Sequence, residues 1–215
     1  MTEINLLKSI KKIKRNIKER KSKKTTNVVN ISRKFGKEYF DGNRKFGYGG
    51  YFYDCRWQTV AKDIIKFYSL KKGDKVLDVG CAKGFLVKDL LDKGIDAYGI
   101  DISKYAVKNC HKDVKDRISL GNAKKLNFAD KSFKLVLAIN VIHNLNSIDC
   151  GKALREISRV SYKYSFVQVD TYRTKEEKKI FKDWVLTAKF HLYLYQWKKF
   201  FIKNNYKGDY FWTFV

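Results

Sequence analysis

The sequence predicts an α/β domain built on a mostly parallel sheet with helices on both faces. Three observations carry that expectation. From Arg56 onward, strand-sized apolar runs alternate with amphipathic helical patterns, and the connections between them are short. Hydrophobic residues make up 44% of the chain and aromatics 15%, enough for a substantial core. No internal repeat divides the 215 residues, so a single α/β domain with an appendage accounts for the length.

Residues 1–33 read as a basic extension. Over Thr2–Lys24, Ile4, Leu7, Ile10, Ile13 and Ile17 fall three or four apart among lysines and arginines, the pattern of an amphipathic helix. Such a helix can pack on its own domain, lie on an anionic membrane surface or bind RNA. Residues 34–55 are dense in glycine and aromatics without helical or strand periodicity. A loop with so much planar apolar area must lie on something, either the core or a ligand, and Tyr48, Tyr51 and Tyr53 are candidates for a lid.

The main domain, residues 56–215, follows. Trp57, Val60, Ala61, Ile64, Ile65 and Tyr68 mark a helix that stops at the turn Lys71-Lys72-Gly73-Asp74. Lys75–Val79 is a strand, 83–93 a helix closed by Gly94, and 97–100 a strand. Ser103 caps a short helix, and 117–120 and Phe133–Ile139 are strands. Asp149 starts a helix with Ala153, Leu154, Ile157 and Val160 inward, before a strand over 165–169. Thr174 and Glu177 form a capping box for the next helix. Two last strands, 190–194 and 210–214, flank a helix carrying Trp197, Phe200 and Phe201, which brings the strands to seven.

Charge excludes less than its size suggests. The net charge is +25, but lysine outnumbers arginine 38 to 9 and proline is absent, a bias that follows from an AT-rich genome. Met1–Thr25 holds 10 Lys/Arg against 2 Glu, and no long basic block recurs later. No run approaches the roughly 18–20 apolar residues of a membrane span, and the N-terminus lacks a secretory h-region. Cys55, Cys81, Cys110 and Cys150 show no metal-ligand spacing with the three histidines, so reduced thiols in a cytoplasmic protein without a metal site are expected.

The informative segment is Lys75–Leu86. A buried strand runs into Asp78, a tight turn holds small residues at Gly80, Ala82 and Gly84, and a helix follows at once. That arrangement builds a ligand site at the carboxyl end of the first strand, where backbone can approach the ligand closely. Asp78 places a carboxylate within reach of an ammonium group. Asp101, at the end of the second strand, suits ribose hydroxyls. Gly121-Asn122-Ala123 can bracket a heteroaromatic base, and Asn140–Leu145 directs polar groups into the same crevice.

On these residues the chain, from about Arg56 to Val215, resembles the class I S-adenosylmethionine-dependent methyltransferases of the broad small-molecule "type 11" kind. The Asp-x-Gly-x-Gly-x-Gly signature is matched as Asp78, Gly80, Ala82 and Gly84, with alanine at the middle glycine. A nicotinamide-binding site would instead show G-x-G-x-x-G. The resemblance implies a Rossmann-like seven-stranded sheet whose last strand runs antiparallel. It implies that Asp78 and the turn Gly80, Cys81, Ala82 and Gly84 hold the amino-acid end of S-adenosylmethionine. Asp101 would hold its ribose, Ile102, Asn122 and Ala123 its adenine, and Asn140 would lie below the sulfonium.

The acceptor side is read more coarsely. His143, just past the fourth strand, has a pKa range suited to a general base. Asp170, Tyr172 and Arg173 follow the fifth strand and can orient substrate groups. The expected activity is methyl transfer to a small polar metabolite, such as a sugar or nucleotide-linked compound. RNA methylation and a non-catalytic cofactor-binding subunit are the alternatives, and an Asn/Asp-Pro-Pro-Tyr segment of amino-methylating nucleic-acid enzymes is absent from the sequence.

Overall fold

A computed structural model of the chain describes residues 1–10 and 15–215. Its elements run α1 Ile17–Lys23, α2 Thr26–Ser32, α3 Lys37–Phe40, α4 Trp57–Phe67, β1 Lys75–Val79, α5 Phe85–Leu91, β2 Asp96–Asp101, α6 Lys104–Lys108 and β3 Ile118–Leu120. They continue with β4 Phe133–Ile139, α7 Ser147–Val160, β5 Ser161–Tyr172, α8 Lys175–Trp184, β6 Leu192–Tyr193, α9 Leu194–Lys203 and β7 Asp209–Thr213. The strands pair in the order β3-β2-β1-β4-β5, and both β6 and β7 join β5.

Alternation along the strands produces two cores. Leu77, Val79, Val136, Ala138, Val167 and Val169 face one side, beneath Ala153, Leu154 and Ile157 of α7 and Trp197 and Phe201 of α9. Val76, Ala97, Leu135, Leu137 and Phe166 face the other, beneath Val60, Ala61 and Ile64 of α4 and Leu86 and Leu90 of α5. Successive strand side chains point to opposite faces, so a strand apolar at nearly every position must be covered on both. Each fully buried aliphatic side chain contributes about 1.5–3 kcal/mol. Lys134, on the flank of β4, pairs with Asp74 at 2.6 Å across the turn that precedes β1.

Two expectations are corrected here. The last strand is parallel: Phe166 lies opposite Asp209 and Asp170 opposite Thr213, with numbers rising together. Helix α9 is the reason. It carries the chain from the carboxyl end of β5 back toward the start of that strand, so β7 sets out in the same direction, as helical crossovers require. A hairpin would have reversed it.

The continuous helix expected over Thr2–Lys24 is not what the described residues form. Glu3 bridges Tyr210 in β7, the Ile4 amide donates to the Tyr210 carbonyl at 3.0 Å, and the Tyr210 amide donates back to Thr2. Leu6 is buried in the core under α4, and helix begins only at Ile17. Part of the expected helix, residues 11–14, lies outside the described residues. The isoleucine spacing was also that of a segment pinned by the exposed edge of β7, and edge pairing won because it satisfies backbone groups in the sheet. Among the described residues, no helix is long and apolar enough to cross a membrane, and all four cysteines are free.

Candidate functional site

Parallel strands deliver their carboxyl ends to one edge of the sheet, and the site is assembled there. Val79 of β1 pairs with Ile100 of β2, which sets Asp78 and Asp101 at neighbouring strand ends. Between them the chain turns sharply. The Gly80 and Cys81 amides both donate to the Ile100 carbonyl, at 2.7 and 3.0 Å. Gly80 has a φ of +78°, and a Cβ there would lie 2.3 Å from Val141 Cγ2, so only glycine fits.

Two non-glycine residues at these strand ends also take left-handed backbone. They are Ala82 (φ +52°) and Asn140 (φ +58°), and both line the same cavity. Each such residue stores on the order of 1 kcal/mol or more of strain, a cost that clusters where backbone must present itself to a ligand. Asn140 is held from both ends. Its amide donates to the Gln168 carbonyl at 2.9 Å, and its Oδ1 accepts the Thr213 hydroxyl at 2.7 Å.

The cavity has a volume of about 1430 Å³. Asp78, Gly80, Cys81, Ala82, Asp101, Ile102, Asn122, Ala123 and Asn140 all line it. Asp101 is anchored by its backbone neighbours: Oδ2 accepts from the Ala82 amide and Oδ1 from the Ser103 amide, both at 2.8 Å. One lone pair on each oxygen stays available for a hydroxyl. Asp78 is 6% exposed and, among the described residues, makes no side-chain hydrogen bond or ion pair. Burial, with the Asp101 charge second, pushes its pKa up to about 7. A buried carboxylate without a partner is costly, and a cation brought to it would relieve that cost.

The aromatic segment forms part of the wall. Phe35, Tyr39 and Tyr51 pack around Phe40 and Ala82, and Tyr48 and Tyr51 line the cavity. Lys83, in the glycine-rich turn, ties the segment down by donating to both Asp41 oxygens (2.8 and 2.7 Å) and to the Tyr51 carbonyl (2.8 Å).

Residues 77–164 match the family described as "Methyltransferase domain". That stretch holds Asp78, the turn through Gly84, and Asp101. Over those residues the chain carries a methyltransferase domain. An uncharacterised protein of Methanocaldococcus jannaschii is 35% identical over 124 residues, covering 58% of this chain and 46% of that protein. The ubiquinone biosynthesis O-methyltransferase of Pelagibacter ubique is 30% identical over 126 residues, covering 54% and 52%. Among solved structures, an S-adenosylmethionine-dependent methyltransferase of Methanosarcina mazei superposes with a TM-score of 0.54 at 19% identity, covering 66% of this chain and 82% of that one. The chain spans about half the length of the curated relatives it matches.

Several expected site residues lie off the cavity. Gly84 sits behind the turn, where a Cβ would meet Val114 and Ile118, so it serves close helix-to-sheet packing. Tyr53 turns away and donates its hydroxyl to Asp89. Tyr172 is buried beside Phe181, its hydroxyl 3.0 Å from His191 Nδ1, and Arg173 pairs with Glu177 at the surface. The strand runs on through Tyr172, past the 169 expected, and carries both residues beyond the crevice.

His143 is the largest correction. It is 3% exposed and does not line the cavity. Its Nδ1 accepts the Asp170 amide at 3.0 Å, which places the ring proton on Nε2, 3.4 Å from Asp170 Oδ2. Burial lowers its pKa, with Asp170 opposing. With its lone pair taken, the imidazole has no free basic nitrogen to offer an acceptor. Asp170 itself faces a smaller pocket of about 200 Å³ that shares Tyr39, Arg44, Tyr48 and Trp184 with the main cavity.

Sequence reasoning missed Arg15, Arg44, Gln168 and Trp212, which line the main cavity. Only Gln168 left a signal, as a lone polar residue within the apolar run Phe166–Val169.

Proposed function

We propose that the protein transfers a methyl group from S-adenosylmethionine to a small polar metabolite. The observation that carries this reading is the pair of buried carboxylates, Asp78 and Asp101, flanking a turn that only glycine can enter, at the head of a cavity large enough for two ligands.

The donor set fits the cofactor. Asp78, buried and unpaired, suits its ammonium group. Asp101 keeps one lone pair per oxygen for the two ribose hydroxyls, and Ile102, with 53% of its surface exposed, offers an apolar face to the adenine. Asn122 and Ala123 border the same region. When bound, S-adenosylmethionine supplies an electrophilic methyl on a sulfonium.

The chain's own residues then align and enclose. Asn140, held by Gln168 and Thr213, keeps its strained backbone fixed at the end of β4. Tyr48 and Tyr51 wall the acceptor side, and the Lys83–Asp41 pair holds them there. In-line displacement of this kind draws most of its acceleration from alignment and exclusion of water. His143, through its two contacts with Asp170, is a positioning residue for that carboxylate.

Calorimetry with S-adenosylhomocysteine tests the assignment. The wild-type chain should bind it, and Asp101→Ala should weaken binding by about 1.5–3 kcal/mol, because two hydroxyls lose a charged acceptor. Unchanged affinity in Asp101→Ala removes the ribose assignment. Methyl transfer assayed against a panel of metabolites and total RNA then identifies the acceptor class.

A further inference from the structure

Three arginines converge on one indole beside the cavity. The guanidinium carbons of Arg20, Arg15 and Arg44 lie 4.7, 5.3 and 5.7 Å from the centre of the Trp184 ring. They come from the N-terminal segment and the aromatic segment, and Trp184 ends α8, so only the tertiary fold brings them together.

Among the described residues, none of the three makes an ion pair with a carboxylate. Among those residues each has one hydrogen bond, to a neutral backbone carbonyl: Arg15 to Phe214 at 2.8 Å, Arg20 to Lys45 at 2.9 Å, and Arg44 to Gly47. A guanidinium carries five N–H donors, so most of this capacity is unused. Arg20 is 8% exposed. Burial, and next the Arg44 charge, hold its pKa below the usual arginine range. Of the carboxylates whose charge reaches them, Glu19 pairs with Lys23 at 2.6 Å, which leaves Asp170, sharing the small pocket with Arg20 and Arg44 and lying beside an uncharged His143. Three cations against one carboxylate leave about two positive charges uncompensated.

A second observation is independent of charge. Gln168 Oε1, Trp212 Nε1 and Asn144 Oδ1 are buried without a hydrogen-bond partner, and all three residues line the same cavity as Arg15 and Arg44. Gln168 and Trp212 are 5% and 3% exposed. Leaving such groups unpaired costs free energy that a ligand hydroxyl, both donor and acceptor, would recover.

We infer that the methyl acceptor is a phosphorylated, hydroxyl-bearing small molecule, its phosphate seated by Arg15, Arg20 and Arg44 and its hydroxyls reaching Gln168 and Trp212. A phosphate monoester carries a charge of about −1.5 to −2 near neutral pH, which matches the surplus, whereas a carboxylate supplies only half of it. Planar guanidiniums pair with phosphate oxygens through two parallel hydrogen bonds. This inference deepens the methyl-transfer reading and rests on it for the word acceptor.

The test is calorimetry on the full chain with ribose 5-phosphate as the probe, with and without saturating S-adenosylhomocysteine. Ribose 5-phosphate should bind, ribose and acetate should not, and affinity should fall as salt rises. Arg44→Ala should weaken the probe at least tenfold, Arg44→Lys should recover part of the loss, and S-adenosylhomocysteine affinity should stay within twofold in both. Gln168→Leu should weaken ribose 5-phosphate more than inorganic phosphate. If S-adenosylhomocysteine binds but the probe does not, or Arg44→Ala binds it as tightly as the wild type, the phosphate site is wrong. Acetate competing as well as phosphate overturns it equally. Probe binding without any S-adenosylhomocysteine binding would keep the phosphate site and sink the methyl-transfer reading instead.

Discussion

Replacing Asp78 by asparagine should stabilise the ligand-free protein at alkaline pH and cripple the proposed cofactor site. Burial, followed by the Asp101 charge, raises the Asp78 pKa to about 7 in the folded chain. An unfolded aspartate titrates near 3.9. Between those values the folded state holds a proton that the unfolded state has lost, so this group's contribution to stability declines as pH rises from about 4 to about 7. At about 1.4 kcal/mol per unit, the loss approaches roughly 4 kcal/mol above pH 7. Asparagine keeps the shape without the charge but leaves a buried amide unpaired, at about 1–3 kcal/mol. The net gain above pH 7 is about 2 kcal/mol, which for a chain of this length is roughly 4–8 °C in Tm. At about pH 5 the wild-type carboxyl is already protonated and the gain should vanish.

Thermal melts of wild type and Asp78→Asn from about pH 5 to pH 8 read this directly, and the difference should grow with pH through 7. S-adenosylhomocysteine should bind the variant at least tenfold more weakly, since an amide cannot neutralise its ammonium. Wild-type binding near pH 7 should release protons, because the ligand selects the ionised carboxylate. A Tm difference that stays constant across the range would refute the argument, for Asp78 would then not titrate where its burial requires.

Two further outcomes are expected from the packing. Gly80→Val should abolish measurable S-adenosylhomocysteine binding by calorimetry, because its Cβ would fall 2.3 Å from Val141 Cγ2 at a φ of +78°. Normal affinity would show that the turn does not cradle the cofactor. Leu6→Ala should lower stability by about 2–4 kcal/mol in urea melts, since Leu6 is 2% exposed in the core under α4. A change below about 0.5 kcal/mol, the range of ordinary surface positions, would return the N-terminal segment to the status of an appendage.

The strands, their order along the chain and the residues that meet at one sheet edge were legible in the amino-acid sequence because local rules encode them. Apolar alternation writes strands and helices. The spacing of Asp78, Gly80, Ala82 and Gly84 writes a turn at a strand end, and parallel strands put Asp78, Asp101, Asn122 and Asn140 on one sheet edge. The acceptor side obeyed no such rule. Whether β7 ran parallel depended on where α9 left the chain, and the fate of Thr2–Ile10 on the free edge of that strand. His143 sat at the expected strand end, yet a backbone amide 27 residues away took its lone pair. Arg15, Arg20 and Arg44 meet over Trp184 across as many as 169 residues of sequence, counted from Arg15 to Trp184. Periodicity reports only how a residue relates to its near neighbours, whereas ion pairing and hydrogen-bond capture depend on which distant segments fold against each other.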